Sequence, residues 1–517
     1  NNGYRIKILA DPSFVSSAPV ISPPALSTAA FLILNSSVTV QKVFVAPGSA
    51  LPYGIKASSA YAAISDVVVL GGGSIGSAGI MISSDSSVTA SSIAVQSAVG
   101  LRLEGSRNTV SLSTITNNHA SSYALYLDGA SSNTISQSFV FNPLGYASIL
   151  NAGSDFNAIR QSTLTNNDNG YGLLLLSSDN SIQGSRVTNL SVMGSRNIVS
   201  WSTMTSGAYE GVFIRGSSNT LVNCYVQGAS TGALLAGSTG TVIGDSVLAA
   251  TDAAGKALVL LGPDAFYASG VNINLTLSSS TFISANTGTG ISLGEGNLGA
   301  LSLASATVRG SRYGLSIATQ AAGASLAVSS ITFSNLASGA TAVHFLGGTF
   351  VSTFSALRFT DGGAVASVNA SLLGGGSRIT MAGAGGLGAG PATENDPSGL
   401  VDWQVIPGFS KLSAFIGSAG SSYGLAWADY DNDGDLDLAV ANAGTQDEIL
   451  LRNDGGAFTK APLGGTAGDS RGLAWGDYDN DGDLDLAVAN AGTEDEFLLR
   501  NDGGGTFVKV TLTASAG

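Results

Sequence analysis

Pairs of apolar residues five positions apart return about every 22 residues along much of the chain. Counted from Asn108, the pair is Val110 and Ile115. The same frame begins at eight index positions: Ser86, Asn108, Asn133, Asn157, Asn180, Asn197, Asn219 and Gly240. Short runs of alternating apolar and polar residues predict β-strands. Their return at a near-constant spacing predicts stacked coils that bury their apolar residues against one another.

Less regular pairs with the same separation extend the pattern beyond the eighth index position. They are Leu277/Phe282, Leu303/Val308, Val328/Phe333 and Phe354/Phe359. Together with the eight regular frames they predict about twelve coils. At the ~4.8 Å spacing of hydrogen-bonded strands, twelve coils form a rod of roughly 55–60 Å.

Two columns of polar residues accompany the apolar pairs. Asn stands at six of the eight index positions, where we expect it to adopt the left-handed conformation of a coil corner and to hydrogen-bond to the next coil. A small residue follows five positions after the index: Ser91, Ser113, Ser138, Ser162, Ser185, Ser202 and Cys224. This column predicts a tight inward corner, and we interpret Cys224 as a small buried residue rather than a reactive thiol.

Coils of this kind resemble the right-handed parallel β-helix of the pectate-lyase-like superfamily, over roughly residues 60–380. The resemblance implies an architecture and says little about activity. The predicted fold class is all-β, with an N-terminal arm and cap or linker at 1–59 and the right-handed parallel β-helix at 60–382. A Gly/Pro-rich linker at 383–399 then leads to a C-terminal calcium-binding β module at 400–517.

Composition and charge agree with this division. Charged residues make up only 11% of the chain and Gly numbers 69, which disfavours helical surfaces and favours strands and turns. Residues 394–517 hold 21 of the 35 acidic residues and only 6 of the 21 basic ones. A near-neutral body with an acidic C-terminal part disfavours nucleic acid as a partner and favours cations. No apolar run is long enough to predict a membrane span.

The acidic part contains two copies of one segment, 424–456 and 472–504, each with the pattern D-x-D-x-D-G-x-x-D. Alternate carboxylates on a tight loop converge on one centre, and Gly434 or Gly482 permits the sharp turn. The residues predicted to bind metal are Asp429, Asp431, Asp433, Asp435, Asp437, Asp477, Asp479, Asp481, Asp483 and Asp485. Among them, Asp435 and Asp483 are expected to contribute main-chain carbonyl groups. This set of oxygen atoms suits Ca²⁺.

The loops differ from an EF-hand, whose twelfth position is a bidentate Glu. Here that position is Val440 or Val488, and the alternation of Leu436, Leu438 and Val440 predicts a strand. The repeat resembles the FG-GAP/VCBS family, whose units carry such a loop between the strands of propeller blades. The resemblance implies calcium as the cofactor.

For function, the sequence favours a non-enzymatic structural or adhesive protein that is secreted or lies on a cell surface. Exposed strands at the two ends invite head-to-tail self-association into a filament stabilised by calcium. No catalytic residues are predicted, because the acids of the β-helix are isolated and His119 and His344 lie many coils apart. The alternative is a polysaccharide-binding or polysaccharide-degrading β-helix protein. Six arginines scattered along several coils are either contacts of an anionic-glycan face or, as we favour, solvated turn residues: Arg102, Arg107, Arg160, Arg186, Arg196 and Arg215.

Overall fold

The structure is a computed structural model that forms two compact units, residues 1–406 and 407–517. The described residues are 6–9, 19–168, 170–262, 274–285, 287–296, 300–320, 325–360, 366–386, 394–404, 421–444, 447–454, 457–461, 463, 466, 468–493, 495–503 and 506–512. They contain strands and no helix, so none of them forms a helix that could cross a membrane.

The first unit is a solenoid whose coils each add one strand to each of three parallel sheets. Sheet A consists of Ile6–Leu9, Ser37–Gln41, Tyr61–Ser65, Ser87–Thr89, Thr109–Ser111, Thr134–Ser136, Ala158–Arg160, Ser181–Gln183, Ile198–Ser200, Thr220–Val222, Val242–Gly244, Leu275–Ser278, Ala300–Ala304, Ser325–Ser329, Val351–Ser355, Arg378–Ala382 and Val401–Gln404. Sheet B consists of Val20–Ile21, Phe44–Val45, Val68–Gly72, Ser92–Val95, Thr114–Asn117, Phe139–Asn142, Thr163–Asn166, Arg186–Thr188, Thr203–Thr205, Tyr225–Gly228, Val247–Ala250, Thr281–Ile283, Thr307–Arg309, Thr332–Ser334, Arg358–Phe359 and Gly385–Gly386. Sheet C consists of Ala29–Leu34, Leu51–Ser58, Ile75–Ile82, Val99–Leu103, Leu125–Leu127, Ser148–Leu150, Leu173–Leu175, Leu190–Val192, Glu210–Ile214, Thr231–Ala236, Lys256–Leu261, Thr289–Leu293, Tyr313–Ile317, Thr341–Phe345, Ala366–Asn369 and Glu394–Asn395.

The predicted apolar pairs form the core of this solenoid. Val110 pairs with Ile135 in sheet A, and Ile115 pairs with Val140 in sheet B; all four side chains are completely buried. The two members of a pair therefore lie on either side of the corner between sheets A and B. The frame is wrong by one residue in the eighth coil, where Ile243 rather than Val242 is buried.

Asn side chains connect successive coils at the corner that leads into sheet A. The main-chain N–H of Asn108 donates to Asn133 Oδ1 at 2.7 Å, and that of Asn133 donates to Asn157 Oδ1 at 2.8 Å. The predicted hydrogen-bonded column is thus confirmed, but the left-handed residue is the one before each Asn, such as Arg107 (φ 60°) or Phe156 (φ 59°). The Asn side chain is buried, and its Oδ1 accepts the N–H of the preceding coil.

Ser side chains form a second column at the corner between sheets A and B. The N–H of Ser113 donates to Ser138 Oγ at 3.2 Å, and the N–H of Ser138 donates to Ser162 Oγ at the same distance. Cys224 continues the column: it is buried, and its N–H donates to Ser246 Oγ. The interpretation of Cys224 as a structural residue agrees with this position.

The solenoid extends beyond the predicted 60–382 on both sides. Residues 37–41 pair with 61–65 in sheet A, although they fall in the predicted N-terminal arm. Residues 394–395, in the predicted linker, pair with sheet C, and 401–404 add a strand to sheet A. The sheets of 17, 16 and 16 strands among the described residues exceed twelve coils. Parts of the predicted arm (1–5, 10–18), linker (387–393) and C-terminal module (405–420) lie outside the described residues.

The second unit contains two four-stranded antiparallel sheets, one for each copy of the acidic repeat. The first consists of Ser421–Ala428, Asp437–Ala443, Ile449–Asp454 and Ala457–Ala461. The second consists of Ser470–Gly476, Asp485–Asn490, Phe497–Asn501 and Phe507–Thr511. Tyr430 stacks on Trp475 with ring centroids 5.9 Å apart, so side chains of both copies share one core. The predicted strand after each loop is confirmed.

Candidate functional site

Each acidic loop connects the first two strands of its sheet and is closed by its own carboxylates. Asp429 accepts the N–H groups of Asp433 at 3.1 Å and Gly434 at 3.0 Å, and Gly434 has a φ of 97°. The second copy repeats this geometry, with Asp477 accepting from Asp481 and Gly482. A side chain at either glycine would be strained, because L residues rarely adopt this φ.

Asp437 and Asp485 are completely buried and fasten the loops to the sheets. The Asp437 carboxylate accepts the N–H groups of Tyr430 at 3.0 Å and Asn453 at 2.8 Å. Burial raises the pKa of Asp437 despite these two hydrogen bonds. These carboxylates therefore connect each loop to the neighbouring strands of its own sheet.

The structure brings most of the predicted metal ligands together in each loop. Oxygen atoms of Asp429, Asp431 and Asp433 lie within 4.8 Å of one another in the first loop. In the second loop two such groups share Asp479: Asp477, Asp479 and Asp485 form one, and Asp479, Asp481 and Asp502 form the other. Asp502, which is not among the predicted ligands, follows the strand Phe497–Asn501 in the hairpin turn.

The electrostatics of these groups fit a cation. Burial, and then the neighbouring Asp433 carboxylate, raise the pKa of Asp431, and its buried Oδ1 has no hydrogen-bond partner among the described residues. Partial desolvation, and then the Asp481 carboxylate, likewise raise the pKa of the exposed Asp479. The acidic clusters can therefore hold a metal ion, which would relieve the repulsion between their carboxylates and coordinate the oxygen atoms that lack a hydrogen-bond partner.

Side-chain amides connect the two loops. The Asn432 amide donates to Asp483 Oδ1 at 3.1 Å, and the Asn501 amide donates to the carbonyl oxygen of Tyr430 at 3.0 Å. The predicted ligand Asp483 is thus engaged in a contact between the copies.

A row of tyrosines marks the corner between sheets B and C of the solenoid. Tyr123, Tyr146 and Tyr171 occur at the same place in three successive coils, and Tyr126 follows in the first of them. Ring centroids are 5.4 Å apart between Tyr126 and Tyr123, 6.2 Å between Tyr123 and Tyr146, and 5.5 Å between Tyr146 and Tyr171. All four side chains of this tyrosine row are half-buried.

A third polar column, which consists of buried asparagines and was not predicted from the sequence, supports the tyrosine row. The Asn142 amide donates to the carbonyl oxygens of His119 (3.0 Å), Ser122 (2.8 Å) and Tyr146 (3.1 Å). Asn117 and Asn166 occupy the same position in the neighbouring coils and also donate to loop carbonyls. The sequence does contain a pattern that marks these three residues, because they stand nine positions after Asn108, Asn133 and Asn157.

Next to Tyr126, the outer face of sheet C carries a polar group of residues that we call the Arg102 cluster: Arg102, Glu104, Asp128, Asn151 and Tyr126. Arg102 Nη2 binds Asp128 Oδ2 at 2.8 Å, and Arg102 Nε lies at the ion-pair distance of 2.8 Å from Glu104 Oε1 without the alignment of a hydrogen bond. The Asn151 amide donates to the Tyr126 hydroxyl at 3.1 Å. Burial, and then the Asp128 carboxylate, raise the pKa of Tyr126, which keeps its hydroxyl group protonated.

A groove of about 590 Å³ lies on the sheet B side of the same corner. Its lining combines apolar residues, such as Leu70, Phe141 and Pro143, with the polar side chains of Gln96 and Asn118.

The other residues singled out from the sequence lie apart from this surface or are paired. Arg107 and Arg196 form two hydrogen bonds each with Asp85 and Asp179, at 2.6–2.7 Å. His344 lies in sheet C and stacks on Tyr313 with ring centroids 4.5 Å apart, many coils from His119.

Three family models match the chain. Residues 149–335 match the right handed beta helix region, residues 429–488 match the FG-GAP-like repeat, and residues 52–184 match the periplasmic copper-binding protein (NosD). Together with the sheet topology, these matches confirm the predicted right-handed parallel β-helix followed by FG-GAP-type repeats.

Solved structures of low sequence identity also align with the chain. The tailspike protein of E. coli bacteriophage HK620 in complex with a pentasaccharide is 12% identical, with a TM-score of 0.40, over 79% of this chain and 78% of the tailspike chain. The PL6 family alginate lyase AlyGC is 11% identical, with a TM-score of 0.29, over 74% of this chain and 80% of the lyase. No curated protein matches the sequence of this chain.

The residues of the stretch that matches NosD do not fit a copper site. Copper sites in proteins use imidazole, thioether and thiolate ligands. Residues 52–184 contain one histidine, His119, one methionine, Met81, and no cysteine. Met81 is buried in sheet C, and His119 lies in an exposed loop where its Nδ1 accepts the N–H of Ser121.

Proposed function

We propose that this chain is a secreted or periplasmic polysaccharide-binding protein whose solenoid carries the glycan-binding surface. The observation that carries the proposal is the tyrosine row beside the Arg102 cluster. Ligand sites combine aromatic surface with a few convergent polar groups, and this corner offers both over successive coils. The row follows the stacking direction of the coils, which suits a polymer of repeated units.

The proposal is tested by affinity gel electrophoresis against soluble polysaccharides. Tyr146→Ala should weaken retardation by about tenfold or more, since it interrupts the tyrosine row at its centre. The matched control is Phe156→Ala, which removes an aromatic side chain that is 65% exposed at a different corner. Circular dichroism establishes that both variants are folded. Equal retardation of the wild type and Tyr146→Ala would refute the assignment of the surface.

The C-terminal module has a separate proposed role as a calcium-stabilised element. Its proposed ligands are the predicted aspartates, with Asp502 added in the second loop. Their carboxylates supply hard oxygen ligands, and a bound divalent cation would neutralise their mutual repulsion. The predicted head-to-tail filament stays a prediction; negative-stain imaging of the purified chain with and without a chelator tests it.

A further inference from the structure

We infer that the surface formed by the tyrosine row and the Arg102 cluster selects neutral polysaccharides over polymers of uronic acids. This inference rests on the proposed polysaccharide binding and names the class of ligand. It follows from the charge balance of the cluster, from its hydrogen-bonding groups and from the charges around it.

The single cation of the cluster is already engaged by two carboxylates. Arg102 lies between Asp128 and Glu104, each at 2.8 Å, and the exposed fractions of the three side chains are 29%, 33% and 32%. The cluster therefore carries one net negative charge. A uronate carboxylate that approached the guanidinium group would be repelled by Asp128 and Glu104, which already neutralise it, and the cluster holds no other cation.

The remaining groups of the cluster suit hydroxyl groups. Asp128 and Glu104 are acceptors with spare lone pairs, and the Asn151 amide fixes Asp128 in place by donating to Asp128 Oδ1 and to the Tyr126 hydroxyl. A sugar hydroxyl group is a hydrogen-bond donor, so it can bind one of these carboxylates directly. A uronate carboxylate only accepts and is repelled by the two acids.

The coils around the cluster do not supply compensating positive charge. Residues 78–176 contain five acidic and three basic residues. Of the other two arginines, Arg107 is bound to Asp85, and Arg160 ends a strand of sheet A rather than sheet C. The local field therefore opposes an anionic polymer.

The test compares hexasaccharides of glucose, galactose and mannose with the corresponding hexasaccharides of glucuronate, galacturonate and mannuronate. Titration calorimetry is run with a chelator, so that no divalent cation bridges carboxylates. We expect the neutral member of the preferred pair to bind at least about tenfold more tightly. Its affinity should change little with ionic strength, because no free charges are paired on binding. A uronate that binds more tightly than its neutral partner would overturn the inference and leave the proposed polysaccharide binding intact.

A double variant tests the cause. Glu104→Gln/Asp128→Asn frees Arg102, so uronate affinity should rise by about tenfold and become salt-dependent. The matched control Asp245→Asn/Asp252→Asn removes two exposed acids from other coils and should leave the preference unchanged. The inference is wrong if the first variant gains no uronate affinity or if the control gains as much. If none of the hexasaccharides binds and Tyr146→Ala has no effect on polysaccharide retardation, the proposed function fails as well.

Discussion

Asn142 offers the sharpest test of how the buried column of asparagines supports the proposed glycan-binding surface. Its side chain is completely buried, and its amide donates to the carbonyl oxygens of His119, Ser122 and Tyr146. Its Oδ1 accepts the N–H of Leu144 at 3.2 Å. Asn142→Ala removes all four contacts and leaves the peptide groups of two adjacent loops without these partners.

The expected cost can be worked from these contacts. Two amide protons cannot fully satisfy three carbonyl groups, so we count two full hydrogen bonds to carbonyls and one from Leu144. At ~1 kcal/mol net for each hydrogen bond, Asn142→Ala should lower the free energy of unfolding by about 3 kcal/mol. Asn142→Asp should cost more at neutral pH, because a carboxylate would face the three carbonyl oxygens.

Urea unfolding followed by circular dichroism measures the change, and hydrogen exchange locates it. Exchange should accelerate in residues 118–124 and 143–147 and remain unchanged in distant coils, since each coil contacts only its neighbours. Polysaccharide binding should weaken in parallel because Tyr146 loses its support. The control is Asn118→Ala, whose side chain is exposed in the loop 118–124 that Asn142 contacts.

A loss below about 1 kcal/mol for Asn142→Ala, or equal losses for Asn142→Ala and Asn118→Ala, would refute the reasoning. So would an Asn142→Asp variant that is more stable than Asn142→Ala at neutral pH.

Three further predictions concern the cation, pH and the thiol. Calcium at about 100 times its dissociation constant should add ~2.7 kcal/mol to the free energy of unfolding of the C-terminal module. Calorimetry with and without a chelator measures this gain, which the double variant Asp431→Asn/Asp479→Asn should abolish. Burial, and then Arg312, lower the pKa of His344 from 6.5 in the folded state. The stability that its neutral form contributes is therefore present above pH 6.5 and is lost as the pH falls below it. The unfolding midpoint of the solenoid should drop on acidification, and it should drop less in His344→Gln. Burial raises the pKa of Cys224 to about 11, so iodoacetamide should leave it unmodified at neutral pH until the chain is unfolded, as mass spectrometry can establish.

The repeated coils could be predicted because their apolar residues obey one rule throughout. Val110 and Ile115 must both be buried, and the stacked coils repeat the same two environments. The N-terminal end of the solenoid was not predicted because its corners lack the Asn residue: Val38 and Ala62 stand where later coils have Asn. At the eighth coil, Gly240 takes the left-handed corner position with a φ of 65°, so the true index residue is Thr241.

The residues of the acidic loops could be predicted from the sequence more fully than those of the solenoid surface. The spacing within one loop is local, so the clustering of the Asp429, Asp431 and Asp433 carboxylates could be predicted from their order. Asp502 joins the second loop only through the pairing of strands 485–490 and 497–501, which the linear pattern does not specify. The Arg102 cluster likewise depends on register, because Arg102 and Tyr126 become neighbours only when their strands pair.

The direction of the hydrogen bonds in the Asn column has a consequence for how such a chain can change length. Each hydrogen bond runs from the N–H of one coil to the side chain of the next. It forms whether the two residues stand 17 positions apart, as Asn180 and Asn197 do, or 25, as Asn108 and Asn133 do. Excising or duplicating one whole coil would leave every donor facing an acceptor. Gene rearrangements of that size could therefore lengthen or shorten the solenoid, and remodel the loops that carry the tyrosines, while the stacking axis is preserved.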